Sequence, residues 1–225
     1  LFSHAQTQSD KIIVDADHCV ELGDDPDTLL PSLSHVAVDE GVPIADFSWK
    51  RLRAHRRLTA AAFDADRLEL LDEIQTIHVT GMRPVAGRLY GLWLAERLGW
   101  SVSGPSGRGA AARNEGGVAY TRETATAPAD RAGTVPLRFR DVRGRDIRLE
   151  LDPGEPGCDI AISVSLTNGA SVDITTQLNG CADLDYPGGG SEEIVTLPSN
   201  GETLLEEVDA VYADDLYRDA LSLLE

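Results

Sequence analysis

The chain is short of positive charge, aromatic residues and cysteine, and it has no long apolar run. Its 225 residues carry 20 Lys and Arg against 38 Asp and Glu, a formal net charge of -18. That balance argues against nucleic acid as a partner, because phosphate binding needs a positive footprint. It argues equally against an anionic membrane surface. No apolar stretch approaches the roughly 20 residues of a membrane-spanning helix. The opening LFSHAQTQSDK has neither the basic start nor the apolar stretch of a signal peptide. Three cysteines, Cys19, Cys158 and Cys181, lie far apart with no CxxC between them, which disfavours a zinc site or a thioredoxin-like motif. An odd count without a framework points to a reducing compartment, so a cytoplasmic protein is expected. His4, His18, His35, His55 and His78 show no HxxxH or HxH spacing, and no GxSxG elbow occurs. The GPSGRG stretch at 104–109 lacks both the GxGxxG spacing and the GK[ST] ending of phosphate cradles. The sequence therefore indicates no metal, no cofactor and no catalytic residue.

What is present is a change of period along the chain. KIIVDAD (11–17) reads as a short buried strand ending in acid. DDPDTLLPSLSHVAVDEG reads as a short helix interrupted by Pro31, and EIQTIHVTG (73–81) as a strand buried on both sides. Pro84 opens a largely buried helix that Gly99 closes. Residues 101–133 lack a clear period and read as a loop or linker. After them, Val135, Leu137 and Phe139, then Ile147, Leu149 and Leu151, alternate with polar residues around a turn at Arg143-Gly144. Asn168-Gly169 joins two further alternating runs as a hairpin. Cys158 and Cys181 fall on opposite parities, which disfavours a disulfide between them. The end of the chain reads as two short helices. These elements predict an α/β fold of α+β character. An N-terminal strand-helix region (1–100) precedes an antiparallel β-meander packed against helices (134–225), in one compact unit.

Two stretches invite a chemical reading. VDADHC places Asp15 and Asp17 just after a strand, where ligand sites of open α/β sheets often lie. A strand followed by DxD also resembles a phosphatase type with a nucleophilic Asp and bound magnesium, so a metal-dependent phosphohydrolase using Asp15 and Asp17 is one alternative. Acidic residues leading a strand into a loop are the plainer one. DFSWKRLRAHRRLTAAAFD (46–64) gathers Lys50, Arg51, Arg53, Arg56 and Arg57 in an otherwise acidic protein. Ser48 is positioned to cap a helix from Trp49 to Phe63. On that helix Trp49, Leu52, Arg56, Ala60 and Phe63 share a stripe. Arg56 then lies on apolar surface, either in a structural ion pair with a carboxylate of the C-terminal helices or as an interface anchor.

The same blocks carry a family resemblance. DFSWKRLRAHR resembles a DLxWxRLxPWR signature of the bacterial glucose-6-phosphate dehydrogenase assembly proteins of the OpcA type. LYGLWLAERLGW (89–100), SDKIIVDAD and LLEEVDAVYADDLYRDAL resemble three further blocks of that family, in the same order. Matching positions include Asp46, Trp49, Arg51 and Arg56, then Trp93, Arg97 and Trp100, then Asp215 and Tyr217. The family's Pro-Trp pair is Ala54-His55 here. A preceding α/β segment usual in the family is absent, so the chain resembles the C-terminal part. The resemblance implies a non-catalytic partner of glucose-6-phosphate dehydrogenase that promotes its assembly or allosteric activation, with those residues structural or partner-binding. The acidic stretch from Ser191 onward is a second candidate surface. A sugar-phosphate-sensing module using Arg51 or Arg56 is a further alternative.

Overall fold

The computed structural model describes residues 6–8, 11–103, 137–153, 158–177, 180–195 and 214–224. Two sheets organise these residues. The smaller has β1 (Gln6–Gln8), β2 (Lys11–Val14) and β3 (Ile44–Asp46), with β1 antiparallel and β3 parallel to β2. Between β2 and β3 the chain forms α1 (Ala16–Glu21), α2 (Pro26–Ser34) and a π-helical turn at His35–Asp39. Pro31 was expected to interrupt α2, yet it sits inside the helix. The irregularity comes one turn later, in the π-helical turn.

After β3 the chain turns into α3 (Phe47–Arg51) and α4 (Arg53–Ala62), and a 3-10 helix at Ala65–Glu73 leads to β4 (Ile74–Thr80). The single helix expected from Trp49 to Phe63 is thus broken at Leu52, and its cap is Asp46, not Ser48. Asp46 accepts from the Ser48 N–H at 2.9 Å, which starts the helix at Phe47. Next come α5 (Pro84–Arg97) and β5 (Ser101–Val102). Gly99 has φ of 68° and closes α5 as its spacing predicted.

The larger sheet contains β4 and β5 with β6 (Leu137–Arg140), β7 (Asp146–Asp152), β8 (Ile160–Leu166), β9 (Ser171–Thr176), β10 (Cys181–Tyr186) and β11 (Gly189–Ile194). Its order is β11-β10-β9-β8-β4-β7-β6-β5. The meander expected from alternation is present, but β4 from the N-terminal half is inserted in its middle, parallel to β7 and antiparallel to β8. A register shift between Ile74 and Thr76 lets Ile74, Ile77 and Val79 all face the core despite their different parities. It leaves His78 half-exposed beside Glu150, 3.5 Å away, and not packed in the core.

Helix α5 is buried from Val85 to Ala95. Gly87 and Gly91 bring it close to the sheet. A Cβ at Gly87 would stand 2.8 Å from Leu151 Cδ2, and one at Gly91 would overlap Leu149 Cδ2. Since Leu149 is itself fully buried, Gly91→Ala should cost about 1–3 kcal/mol through overpacking, net of its gain in helix propensity. Urea unfolding measures this, and a midpoint at or above that of the wild type would show that the helix can move away freely. The expected second half of the meander's closure is α6 (Asp215–Ser222), which packs on α5 and α2. Ser34 Oγ donates to the Leu221 carbonyl at 2.9 Å. The other helix expected near the C-terminus, and residues 104–133 of the linker expected at 101–133, lie outside the described residues, whereas the start of that linker is strand β5, Ser101–Val102, paired with β6.

Candidate functional site

Parallel pairing of β2 with β3 sets Val14 opposite Asp46. Each strand therefore ends beside the other, and each delivers an aspartate to the start of a helix. Asp15 caps α1 by accepting from the His18 N–H at 3.3 Å. Asp46 caps α3 and also accepts from the Ala16 N–H at 3.2 Å. Ser48 joins the two caps: its Oγ accepts from the Asp17 N–H at 2.8 Å and donates to Asp15 Oδ1 at 3.1 Å. Arg51 reaches back from the end of α3 to grip both Asp15 oxygens, at 2.6 and 3.0 Å. Burial opposes ionisation of Asp15, but the Arg51 hydrogen bonds and charge outweigh it and hold its carboxyl below the usual range. Asp17 has its Oδ2 4.0 Å from the same Arg51 guanidinium. Its Oδ1 caps α5, accepting from the Val85 and Ala86 N–H groups at 2.9 and 3.2 Å. Asp15 and Asp17 are therefore helix-linking carboxylates. Among the described residues no group of three or more His, Cys, Asp or Glu is placed to hold a metal.

A reciprocal clasp binds α6 to α3. Tyr217 Oη donates to Asp46 Oδ2 at 3.0 Å, while Trp49 Nε1 donates to Asp214 Oδ2 at 2.8 Å. Each aspartate is also the N-cap of its own helix, Asp46 of α3 and Asp214 of α6. The Trp49 and Tyr217 rings pack at 5.4 Å between centroids, and both side chains are essentially inaccessible. Leaving one partner of such a bond unmet in a dry site costs more than the bond itself contributes.

Burial pushes the Asp46 carboxyl up to about 7, against the pull of its N–H and Tyr217 donors. Folded protein then binds a proton there that the unfolded chain releases above about pH 4, so this group's contribution to stability falls as pH rises through about 7. His55 works in the opposite sense, because burial lowers it to about 4 and protonating it on acidification opposes folding. The two effects separate in a difference measurement. Asp46→Asn keeps an acceptor for the two N–H groups and can donate its amide to Tyr217. Relative to wild type it should gain on the order of 2–4 kcal/mol between about pH 4 and pH 7.5, read from urea titrations at each pH. A pH-independent difference would contradict a raised Asp46.

On the solvent side of the clasp the Arg56 guanidinium lies 3.7 Å above the Trp49 ring. Burial pulls Arg56 down to about 10, so it stays charged at neutral pH. Its Nε and Nη1 are buried and have no hydrogen-bond partner among the described residues. Together with Lys50, Arg53, Arg57, Trp93 and Asp214 it lines a recess of about 450 Å³. Lys50 faces Asp214 at 3.6 Å, and the exposed Arg57 faces Glu193 at 3.8 Å.

Of the residues singled out from sequence, Asp46, Trp49 and Tyr217 form the clasp, and Arg56 and Trp93 the adjoining recess. Arg51 holds Asp15 on the opposite side. Three fall outside this assembly. Arg97 pairs with Glu96 at 3.2 Å, Asp215 is exposed beside Arg218 at 3.0 Å, and Trp100 is buried against Phe139 at 6.1 Å between centroids. Sequence reasoning passed over Ser48 as a bridge, Asp214, and the buried Arg88, which reaches Asp27. The one local signal for Asp214 was an aspartate directly before an amphipathic run.

Comparison with known proteins places these residues in context. Residues 42–221 match the family described as the C-terminal domain of a glucose-6-phosphate dehydrogenase subunit. A protein of Synechococcus elongatus named "Putative OxPP cycle protein OpcA" is 30% identical over 207 residues, covering 83% of this chain and 42% of the relative. A protein of the same name from Nostoc punctiforme is 28% identical over 204 residues, covering 84% and 38%. The chain thus spans about two fifths of the length of these curated relatives. Among solved structures, a 3-ketoreductase from Actinomadura kijaniata is similar at a TM-score of 0.43 and 9% identity, covering 93% of this chain and 70% of that one. Likeness that distant carries nothing about chemistry. The family match spans most of the chain and contains both halves of the clasp: the chain belongs to the family formed by the C-terminal domain of the glucose-6-phosphate dehydrogenase subunit.

Proposed function

We propose that this chain is a non-catalytic partner of glucose-6-phosphate dehydrogenase, binding it in the cytoplasm and favouring its active oligomeric form. The observation that carries this reading is the basic recess over the clasp. In a protein of net charge -18, long-range forces repel an acidic partner. Lys50, Arg53, Arg56 and Arg57 reverse that sign locally, around the side chain of Trp93. Arginine and tryptophan are the residue types that most often dominate binding energy. The clasp beneath holds α3, and with it the start of the recess, in one geometry, so little ordering is required on docking. The family's description as a domain of a glucose-6-phosphate dehydrogenase subunit supports that enzyme as the partner. The acting principle is linkage: a protein that binds the active state more tightly shifts the population toward it by that difference in affinity. No bond-making by this chain is required.

The test is addition of the protein to purified cognate dehydrogenase, using this chain and also any longer natural form that contains it. Co-elution in gel filtration, with a lower KM or a higher rate, is expected. Unchanged kinetics and separate elution with both forms would overturn the proposal.

A further inference from the structure

The recess over the clasp brings like charges close enough to oppose one another. Among the described residues its lining holds four cationic side chains, Lys50, Arg53, Arg56 and Arg57, and one carboxylate, Asp214. Asp214 is already engaged. It accepts from Trp49 Nε1 at 2.8 Å, caps α6 by accepting from the Tyr217 N–H at 3.2 Å, and stands 3.6 Å from Lys50. Burial is the main force against a charged Arg56, and Asp214 offsets part of it, but the charges of Arg53 and of Arg97 on α5 add to it. Crowded cations of this kind favour an anion among them.

The total charge of -18 repels an anion at long range. That field is screened beyond a Debye length of about 8 Å at physiological ionic strength, so the cations at the wall decide. Arg56 lies over the Trp49 ring with Nε and Nη1 shut off from solvent, and it contributes charge. Arg53 and Arg57 are the exposed pair. They lie four residues apart on α4, which sets their guanidinium groups on one helix face. Arg57 is 77% exposed and stands 3.8 Å from Glu193. An ion pair that exposed is worth little and yields to a better acceptor.

Charge and size select the anion. A phosphoryl group carries close to two negative charges near neutral pH and three acceptor oxygens, which a guanidinium fork matches bidentately. A carboxylate offers about half that charge. The recess has a volume of about 450 Å³. That exceeds the needs of a phosphoryl group alone and falls within the ~300–1,000 Å³ usual for small-molecule sites. Trp93 and the 39% exposed Leu216 give it an apolar part. We propose that the recess binds a small phosphate monoester, its phosphoryl group held by Arg53 and Arg57 beside the charges of Lys50 and Arg56, and its organic part set against Trp93 and Leu216. The inference does not depend on the dehydrogenase reading; where both hold, ester and dehydrogenase compete for one surface.

The test is calorimetric titration of the intact 225-residue chain. No dehydrogenase is present, so failure here and failure of docking are separate results. The probes are ribose 5-phosphate, glucose 6-phosphate and glycerol 3-phosphate, with D-ribose, D-glucose and inorganic phosphate as comparisons. At least one ester should saturate with a dissociation constant of about 1 mM or tighter. Its neutral parent should bind at least about tenfold more weakly. Inorganic phosphate should also bind more weakly, since it leaves Trp93 and Leu216 uncovered. Arg53→Gln, Arg57→Gln removes both forks and should weaken ester binding by about tenfold or more. Both side chains are exposed, so the thermal midpoint of this variant should stay within about 4 °C of wild type. Arg138→Gln, Arg148→Gln takes the same charge from the polar face of the large sheet and should keep ester affinity within about twofold. Failure of all three esters to bind, equal binding of a neutral parent or of inorganic phosphate, affinity retained in the Arg53, Arg57 variant, or an equal loss in the Arg138, Arg148 variant would each overturn the assignment.

Discussion

Replacing Trp49 by alanine should destabilise the protein by about 3–5 kcal/mol, the range for truncating a large buried aromatic. The indole is 1% exposed, packs at a tilt against Tyr217, supports Arg56 and donates to Asp214. Its loss removes one half of the clasp and leaves a cavity under the guanidinium. At the entropy of unfolding usual for this chain size, the thermal midpoint should drop by about 10 °C. Trp49→Phe separates the contributions. It retains most of the packing and deletes only the Nε1 donor, so a smaller loss of about 1–2 kcal/mol is expected. Arg97→Ala, on a half-exposed side chain outside the clasp, should stay within about 0.5 kcal/mol of wild type. Hydrogen exchange adds a local readout: amides of α6 should lose protection in Trp49→Ala before those of β8 and β4. A Trp49→Ala protein with wild-type midpoint and unchanged α6 protection would show that the clasp does not hold the C-terminal helix.

Reversing charge in the recess should have the largest effect on partner binding. Arg53 and Arg57 are exposed, so the double change Arg53→Glu, Arg57→Glu should alter stability by no more than about 0.5 kcal/mol per site. Binding to the dehydrogenase should weaken by about 10- to 100-fold, mainly through slower association. Wild-type affinity should also fall with added salt, and the variant should have lost most of that dependence. The necessary control lies on the polar face of the large sheet. There Arg138 and Arg148 are exposed and face each other across β6 and β7, at positions alternating with the buried Phe139 and Ile147. Arg138→Glu, Arg148→Glu changes net charge by the same amount and should leave binding within about twofold, a difference under about 0.5 kcal/mol. Equal losses in both variants would mean that total charge matters and the recess does not. No loss in either would remove the recess from the interface.

The strands of the meander were readable because one of their faces is buried and the other wet. Phe139, Ile147, Leu149, Ile162, Val164, Val172 and Ile174 are buried, and their polar neighbours stay partly or fully exposed. Helix α5 was readable from Pro84, Gly99 and an apolar circumference. The contact of Arg56 with Trp49 that the stripe implied is present, but Ala60, expected on the same stripe, is exposed, and the helix is broken at Leu52. The break itself was not readable, since Leu52 is a good helix former. Nor did alternation reveal the bulge in β4, which changes parity and turns His78 outward. The position of β4 between β7 and β8 is a long-range pairing, and nothing local encodes it.

The sequence alone determined the class of elements, the burial of α5, the alternation of the sheet and the family to which the chain belongs. Those are properties of period and of residue order, which need no third dimension. Tertiary structure decided which polar residues matter. Asp46 meets Tyr217, and Trp49 meets Asp214, across separations of 171 and 165 residues. Arg57 and Trp93 line one recess although they lie on different helices. Aspartate, serine and histidine are ordinary at a helix start or on a helix face. Their energetic weight comes from desolvation, and desolvation is set by everything the fold packs around them.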